Sequence, residues 1–498
     1  MEKRFIMGID QGTTGTRVFL FDEKGQVHSS AYREITQIYP QPGWVEHDAN
    51  EYWETALVCA AEALQKGGAG ADEVASIGIS CQRETTILWD RDTGEPLYRA
   101  IVWQSRQSAA ICEQLKEMGL NDYVRETTGL PIDAYFSGSK IKWIVDNVPG
   151  VKEKLDARKV MFGNIDSWLI YKLSGGAAHV EDYSNASRTM LLDIHTLEWD
   201  KKIMEALQIP VNILPGLKPS SGILAVTSKS SFFGQEVPIS GDAGDQQAAT
   251  FGQACFEPGM AKNTYGTALA VMMNIGDKFK PSHTGLMTDL AWVLPQCKRY
   301  AFEGLVYMGG ATIQWLRDGL KIIKTSAEVN DLAVQVPDAG GVYLVPAFTG
   351  LGAPYWDMYA RGTMVGLTRG TTAEHIARSA LESIAYQTRD LLECMEKDSG
   401  QKTVTLRVDG GATASDFLMQ FQADILGIPL QKPSITEMTA LGASYLAGLG
   451  VGFWKGEKEI AAQWKVARVF EPQMGEDQRE SLYAGWKRAV ERSFEWAK

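Results

Sequence analysis

The sequence predicts an α/β protein made of two large domains of related design. Segments typical of strands and of helices alternate along the chain, as in α/β folds. Both halves contain a strand, a turn rich in Gly and Thr, and a second strand, in that order. At roughly 150 residues per domain, the 498 residues allow about three average domains or two large ones. We expect residues 1–251 to form the first domain and residues 252–498 the second.

Composition and charge narrow the classes of function. Hydrophobic residues make up 45% of the chain and charged residues 22%, as in ordinary globular proteins. The net charge of −12 argues against nucleic acid or an anionic lipid surface as a general partner. Six cysteines occur singly, which favours the reducing cytoplasm and not a zinc site. The N-terminal apolar stretch is too short for a signal peptide, and residues 439–454 fall short of the roughly 20 that a bilayer needs.

The first half predicts a β-hairpin followed by alternating elements. Residues 5–10 and 17–21 are strand-like and flank a Gly/Thr turn. Residues 51–66 place apolar side chains on one helical face and end at a Gly-Gly pair, which is typical of a helix end. Further strands are expected at 74–80, 86–90 and 98–103, with the last two flanking a turn, and a helix at 108–118.

The second half repeats this order of elements. Residues 237–240 are strand-like and precede a polar turn at 242–247. Residues 260–273 again predict two strands joined by a Gly/Thr turn. An apolar strand at 404–408, a turn at 409–411 and an amphipathic helix at 414–426 form an arrangement that can expose backbone N–H groups to phosphate.

Three glycine-containing turns indicate nucleotide binding. In the first, Asp10 to Thr16, glycine allows backbone N–H groups to approach an anion, threonines add donors, and the carboxylate can hold hydrated Mg²⁺. The second is Thr264 to Thr267 and the third is Asp409 to Ala412. One such turn fits an ordinary hairpin tip equally well, since no Walker pattern is present. Three together favour a nucleotide held between two related domains.

Two carboxylates lie in the polar turn near the domain boundary. Phosphoryl transfer to an alcohol needs a carboxylate that can accept the hydroxyl proton. We expect Asp245 to have this role and Asp242 to cap the following helix, although both residues are also common helix caps.

Four residues of the first half are candidates for a substrate pocket. Arg83 and Glu84 follow a strand-like segment and could bind hydroxyl groups, but taken alone such a pair is more typical of a surface ion pair. Trp103 and Tyr135 could line a small pocket, although most aromatic residues belong to the core. The six histidines show no metal-binding spacing.

Taken together, these motifs resemble the FGGY family of carbohydrate kinases, and within it the members that act on glycerol. The matching segments are residues 10–14, 81–86, 135–140, 244–247, 263–267, 314–318, 345–356, 366–370 and 407–412. The resemblance implies two actin-like (ribonuclease H-like) α/β domains that close over ATP and a small polyol. It further implies phosphorylation of glycerol to sn-glycerol 3-phosphate, and we expect a homo-oligomer, either a dimer or a tetramer.

The resemblance also assigns roles to residues by position. It makes Asp245 the general base and Asp10 the Mg²⁺ ligand, acting through water. The glycerol-binding residues it implies are Arg83, Glu84, Trp103, Tyr135, Asp245 and Gln246. The nucleotide-binding residues it implies are Thr13, Thr14, Arg17, Thr267, Gly310, Gln314 and Gly411, together with Ser415, which stands where an Asn is usual.

Several positions depart from the family pattern. Ala270 stands where these kinases have a Phe against the substrate, so a pocket wall is missing unless a side chain such as Leu269 or Met272 fills the space. Gly15 replaces a common Ser and, like Ser415, is expected to weaken nucleotide contacts. Gly234 is not followed by the Arg that some bacterial members use for fructose 1,6-bisphosphate, so we expect that allosteric site to be absent.

Two alternative functions stay open on the sequence alone. The space at Ala270 would suit a kinase for a larger polyol or a ketose. A non-catalytic actin-like protein could bind a nucleotide for assembly or regulation. The presence of both Asp10 and Asp245 argues against that second alternative, because a protein that only binds nucleotide has no use for a general base.

Overall fold

The structure, a computed structural model, describes residues 3–498 and contains two main β-sheets. Residues 1 and 2, which precede the first predicted strand, lie outside the described residues. The first sheet has six strands in the order β13-β14-β5-β1-β2-β3. Its strands are β1 (Phe5–Gln11), β2 (Gly15–Phe21), β3 (Val27–Glu34), β5 (Val74–Cys81), β13 (Ser221–Val226) and β14 (Pro238–Gly244).

The second sheet has seven strands in the order β17-β18-β16-β15-β21-β22-β23. Its strands are β15 (Ala261–Tyr265), β16 (Leu269–Gly276), β17 (Met287–Leu294), β18 (Cys297–Val306), β21 (Leu406–Asp409), β22 (Leu430–Pro433) and β23 (Val466–Phe470). Short strands pair separately: β4 (Glu46–His47) with β7 (Ala100–Ile101), β6 (Ile87–Asp90) with β8 (Val160–Gly163), β9 (Val180–Asp182) with β12 (Gly216–Lys218), β10 (Leu192–Asp193) with β11 (Glu198–Trp199), and β19 (Tyr343–Val345) with β20 (Thr363–Val365).

Helices connect and cover the sheets. Those of the first half are α1 (Ala49–Gly67), α2 (Ala109–Glu117), α3 (Asn121–Thr128), α4 (Ser137–Asn147), α5 (Val151–Asp156), α6 (Ile165–Leu173), α7 (Tyr183–Ala186), α8 (Lys201–Leu207) and α9 (Asp245–Gly252). Those of the second half are α10 (Gly310–Asp318), α11 (Glu328–Ala333), α12 (Ala373–Ser399), α13 (Asp416–Leu426), α14 (Met438–Gly450), α15 (Glu457–Gln463) and α16 (Glu476–Glu491).

The predicted α/β class and the related design of the two halves are confirmed. Each sheet contains an antiparallel hairpin, β1–β2 in the first and β15–β16 in the second. The first strand of each hairpin also pairs in parallel with a later strand, β5 or β21. The predicted helix at 51–66 is α1, which Asp48 caps and which ends at Gly68 with a left-handed φ of 60°.

The predicted strand pair at 86–90 and 98–103 is only partly present. Strand β6 pairs with β8, and the two-residue strand β7 pairs with β4. Between β6 and the segment after the turn only isolated bridges form, one of them at Pro96. Proline has no N–H group to donate, so a regular ladder cannot continue through it.

Helices α9 and α14 lie between the two sheets. Their apolar residues form one cluster with side chains of both sheets, for example Ile6 of β1 and Met272 of β16. A Cβ added at Gly78 would lie 2.2 Å from Ala443 O, and one at Gly442 would lie 1.8 Å from Ala248 O. These backbones approach so closely that only glycine fits. Helix α14 thus completes the core of the first sheet, although it belongs to the second half of the chain, residues 252–498.

Among the described residues, no helix combines the length and the apolar character needed to cross a membrane.

Candidate functional site

The tip of the first hairpin contributes an acidic residue and two threonines to the candidate site. Asp10 lies at the end of β1, and its Oδ1 accepts a hydrogen bond from Ser80 Oγ at 2.9 Å. Burial raises the pKa of Asp10 to about 6. Thr13 Oγ1 accepts a hydrogen bond from Trp103 Nε1 at 3.0 Å, and Thr14 is exposed at the tip. Such a carboxylate beside open backbone groups fits a hydrated cation and a phosphate.

Arg17 lies opposite Asp10 in the register of the first hairpin. Its Nη1 is 3.2 Å from an oxygen of Glu437, the residue before α14, and its guanidinium lies 5.5 Å from the ring centre of Tyr32. The side chain is about half exposed, at 49%. An exposed pair of this kind contributes little stability, so Arg17 is available to an anionic ligand.

Arg83 follows the end of β5 and is almost completely buried, with 3% of its surface exposed. Its guanidinium donates to the two carboxylate oxygens of Glu303, at 2.6 and 3.0 Å, and to Gln247 Oε1 at 3.2 Å. Its Nε lies 3.3 Å from Asp245 Oδ1 and 3.8 Å from Glu84 Oε1. The interpretation of Arg83 and Glu84 as a surface ion pair is therefore wrong.

A second buried arginine, absent from the sequence predictions, belongs to the same network. Arg188 donates to Glu84 Oε1 and to Asp289 Oδ1, both at 2.6 Å, and lies 2.8 Å from Glu303 Oε2. Burial by itself would raise the pKa of Glu303, but Arg188 and Arg83 hold it at about 2. Asp289 is the one charged residue of β17, and Glu303 lies in the buried run of β18 that follows Lys298 and Arg299. A charged residue among buried apolar strand positions was the signal available in the sequence.

Two aromatic rings lie next to this network. The ring centres of Trp103 and Tyr135 are 5.6 Å apart, and the planes are inclined by 65°. The guanidinium of Arg188 lies 5.6 Å from the centre of the Tyr135 ring. Burial raises the pKa of Tyr135 well above its usual value, so its hydroxyl stays protonated. The predicted polyol-binding residues Trp103 and Tyr135 thus lie in one region with Arg83 and Glu84. The first two provide aromatic rings and the last two provide buried charges.

Asp245 and Gln246 begin helix α9 directly after β14. The side chain of Asp245 is 29% exposed. Its Oδ1 accepts a hydrogen bond from the backbone N–H of Gln246 at 2.8 Å, and its Oδ2 accepts from Gln246 Nε2 at 3.2 Å. The oxygen of the Gln246 amide in turn accepts a hydrogen bond from Lys262 of β15. An accessible carboxylate with fixed donors is suited to accept a proton from a hydroxyl group.

Leu305 lies where the sequence suggested a missing pocket wall. It is the cross-strand partner of Ala270 in the pairing of β16 with β18, so the two side chains project from the same face of the sheet. Leu305 is partly buried and packs against an apolar cluster of the first half that also borders Tyr135. Leu269 packs into the core of the second half, and Met272 into the cluster between the sheets. Leu305 is therefore the large side chain beside Ala270 on this face, whereas Leu269 and Met272, the two residues that the sequence suggested, pack into other clusters.

The second hairpin and two helix starts carry the predicted nucleotide residues. Thr267 is exposed at the tip of β15–β16, and its carbonyl oxygen accepts hydrogen bonds from the N–H groups of Gly309 and Ala311, at 2.9 and 3.1 Å. Gly310 begins α10, where its N–H donates to Gly266 O at 2.9 Å. Gln314, one turn further along α10, is exposed. This tip and the start of α10 therefore form one connected surface.

Gly411 and Ser415 lie between β21 and α13. Gly411 is exposed, and a Cβ added there would meet no atom within 4 Å, so a ligand has room to approach. The preceding Gly410 has a φ of 92°, and a Cβ there would lie 2.6 Å from Tyr265 O. Ser415 Oγ accepts a hydrogen bond from Leu418 N at 3.0 Å as the cap of α13 and also bonds to the side chain of Asn330.

The prediction that Asp242 caps a helix is wrong. Asp242 lies within β14, and α9 begins three residues later. Neither of its carboxylate oxygens has a hydrogen-bond partner, and Asp166 and Asp182 each offer an oxygen within 4.8 Å of it. Burial raises the pKa of both Asp242 and Asp166, which favours the protonated, neutral form of these carboxyl groups.

Comparison with known proteins gives one consistent match along the chain. Residues 5–252 match the FGGY family of carbohydrate kinases, N-terminal domain, and residues 261–451 match the C-terminal domain of that family. A protein of Thermotoga maritima named glycerol kinase 2 is 58% identical over 495 residues, which cover 99% of this chain and 100% of that protein. A glycerol kinase of Caldanaerobacter subterraneus subsp. tengcongensis is 57% identical over 99% of both chains.

Solved structures agree with the fold. The crystal structure of Plasmodium falciparum glycerol kinase with ADP has a TM-score of 0.92 at 34% sequence identity and covers 99% of this chain and 98% of its own. A gluconate kinase from Lactobacillus acidophilus has a TM-score of 0.85 at 24% identity and covers 98% of this chain and 96% of its own. At that identity, the gluconate kinase supports the fold alone.

Proposed function

The chain belongs to the FGGY family of carbohydrate kinases, and from that membership we propose that it transfers the γ-phosphoryl group of ATP to glycerol, giving sn-glycerol 3-phosphate. The observation that carries the proposal is the accessible carboxylate of Asp245, which lies 3.3 Å from the buried guanidinium of Arg83. Phosphoryl transfer to an alcohol needs a base at the hydroxyl and donors that fix the acceptor.

Asp245 accepts the proton of the terminal hydroxyl as that oxygen attacks the phosphorus atom. Arg83 donates to the substrate hydroxyls and the Glu84 carboxylate accepts from them, while Gln246 adds an amide. The buried ion pairs of Arg83 and Glu84 limit their motion, so they bind the acceptor in one orientation. Trp103 and Tyr135 pack against the carbon chain and exclude water.

The two hairpin tips, at Thr13–Thr14 and at Thr267, supply backbone and hydroxyl donors to the phosphates of ATP, with Arg17 as a cation. Gly310, Gln314, Gly411 and Ser415 contact the rest of the nucleotide. Asp10 would hold Mg²⁺ through water, and the ion would neutralise phosphate charge. Its environment fits that role, because the raised pKa reflects a desolvated carboxylate that a nearby cation would favour.

Leu305 supports glycerol over a larger polyol or ketose, because a leucine opposite Ala270 occupies the space that extra carbons would need. We further propose that residues 1–251 carry the polyol site and residues 252–498 most of the nucleotide site. The six free thiols support a cytoplasmic location. A dimer or tetramer is likewise proposed, and size-exclusion chromatography with light scattering would test it.

A coupled assay for ADP release, run over glycerol, longer polyols and ketoses, tests the function. We expect turnover to depend on the acceptor and kcat/KM to be highest for glycerol. A higher kcat/KM for a longer acceptor would identify that acceptor, and not glycerol, as the substrate. ATP binding without any acceptor-dependent release of ADP would contradict the proposal and support a non-catalytic nucleotide-binding protein.

A further inference from the structure

Lys262 is a buried lysine in β15 that the reaction described above does not use. None of its surface is exposed. Its ammonium donates to Thr264 Oγ1 at 2.9 Å, to Ala270 O at 3.2 Å and to Gln246 Oε1. All three of its N–H bonds therefore have acceptors, and two of these acceptors belong to its own hairpin.

The third acceptor connects Lys262 to the general base. An ammonium group can only donate, so Lys262 requires the oxygen of the Gln246 amide to face it. The NH₂ group of that amide then faces Asp245, and Nε2 donates to Oδ2 at 3.2 Å. In the opposite orientation, the amide oxygen would face the carboxylate, and two acceptors would repel each other. Lys262 thus selects one of the two orientations of the amide.

The remaining bonds of Asp245 indicate which oxygen receives the proton. Oδ1 has two donors near it, the backbone N–H of Gln246 at 2.8 Å and Nε of Arg83 at 3.3 Å. Oδ2 has the Gln246 amide as its donor and keeps a free lone pair. The amide orientation therefore decides whether Oδ2 is held in place with one side open to a substrate hydroxyl.

We propose that Lys262 is a positioning residue for the general base: it fixes the Gln246 amide so that this amide holds Asp245 Oδ2 toward the acceptor hydroxyl. The proposal rests on the proposed function, in which Asp245 is the base. Because Lys262 belongs to the hairpin that carries Thr267, it also connects the phosphate-binding tip to the start of α9. The other charged groups near Lys262 are Asp409, Glu303 and Arg83.

The test is a double-mutant cycle in the ADP-release assay with Lys262→Met, Gln246→Ala and the double variant. We expect Lys262→Met to lower kcat about ten- to a hundredfold, with the KM for ATP within about twofold. This loss is smaller than the roughly hundred- to ten-thousandfold effect of general base catalysis itself, because the base is still present. In the Gln246→Ala background, the same change should lower kcat less than about threefold, because the two residues act as one unit. Lys262→Arg should recover part of the activity, and the acid limb of the kcat profile of Lys262→Met should move to higher pH.

Lys280→Met is the control, since Lys280 is a partly buried lysine of the second half whose ammonium donates to Ser399 O at 2.6 Å and to none of the site residues. Its kcat should match that of the unchanged chain. An unchanged kcat in Lys262→Met, or fully additive losses in the double variant, would overturn the proposal. A KM for ATP that rises as much as kcat falls would also overturn it, because Lys262 would then bind phosphate directly.

Failure of the proposed function has a different signature, because the unchanged chain would then release no ADP with any acceptor. In that case, or if Lys262→Met folds poorly, crystal structures of the unchanged chain and of Lys262→Arg decide the point. The proposal requires the Gln246 side chain to lie within hydrogen-bond distance of both Asp245 and residue 262. A Gln246 side chain bound to neither in the crystal would refute it.

Discussion

The pairing of Ala270 with Leu305 predicts how the pocket responds to a change of side-chain volume. A gap at Ala270 would make Ala270→Phe bind glycerol more tightly. The structure reverses this expectation, because Leu305 lies directly across from Ala270 on β18. A phenylalanine would compete with Leu305 for the same space. Overpacking of this kind costs about 1 to 3 kcal/mol, so the KM for glycerol should rise roughly five- to 150-fold.

The reverse change opens the pocket. Leu305→Ala removes three carbons, each worth about 0.8 kcal/mol when fully buried, and Leu305 is only partly buried. About half of that sum, roughly 1.2 kcal/mol, predicts a KM for glycerol that is about eightfold higher. The double variant Ala270→Phe/Leu305→Ala restores the total volume, and its KM should return to within about threefold of the original value.

The assay is the KM for glycerol from coupled ADP release, with the melting temperature of each variant as a check on folding. A fall in the KM for Ala270→Phe would mean that the gap exists and that Leu305 does not fill it. Unchanged KM and kcat in both single variants would place these two residues outside the pocket. A double variant that combines the two losses additively would mean that the side chains do not share one space.

Three further outcomes follow from the site. Asp245→Asn should lower kcat by about two to four orders of magnitude without changing the Kd for ADP in calorimetry, and near-normal turnover would contradict its role as base. Arg83→Ala should raise the KM for glycerol far more than the KM for ATP. It should also lower the free energy of unfolding by about 3 to 5 kcal/mol, because Glu303 keeps a buried charge with one partner fewer. Equal effects on both KM values would make Arg83 purely structural. Burial raises the pKa of Asp10 to about 6, so its carboxylate gains a proton as the pH falls through 6. The protonated group binds Mg²⁺ poorly, and the Mg²⁺ concentration for half-maximal activity should therefore rise about tenfold per pH unit below that point. Asp10→Asn should remove this dependence on pH, and a Mg²⁺ requirement that is constant from pH 5 to 8 in the unchanged chain would refute the assignment.

Local sequence patterns were sufficient to predict the two hairpins and the ends of α1. The Gly/Thr turns lie between short apolar runs, so the turn and its flanking strands are encoded within about 20 residues. Asp48 and Gly68 likewise mark the ends of α1 through their own side-chain and backbone properties. The family match and the kinase class also followed from motifs that are contiguous in the sequence.

The rest of the site depends on contacts between distant segments. Arg188 reaches Asp289, and Arg83 reaches Glu303, across more than 100 and 200 residues of chain. No local pattern shows which buried carboxylate meets which arginine. Leu305 was missed for the same reason, since its position opposite Ala270 is fixed by strand register and not by its neighbours in the sequence.

For Asp242, a local sequence pattern was present but predicted the wrong structural role. An Asp in a Gly-rich turn before a helix is typical of a cap, but β14 continues through this residue to Gly244. Tertiary burial among Asp166 and Asp182 decides its environment, and a short sequence window does not contain these residues.

The position of α14 between the two sheets has a consequence for how the chain is made. Strand β14 is complete at residue 244, whereas α14, which covers the same sheet, ends at residue 450. At about 5 to 20 residues per second, a ribosome needs roughly 10 to 40 s to synthesise the intervening segment. During that interval, the glycine-lined face around Gly78 has no helix to cover it. The first half therefore cannot complete this part of its core until the distant helix has emerged from the ribosome.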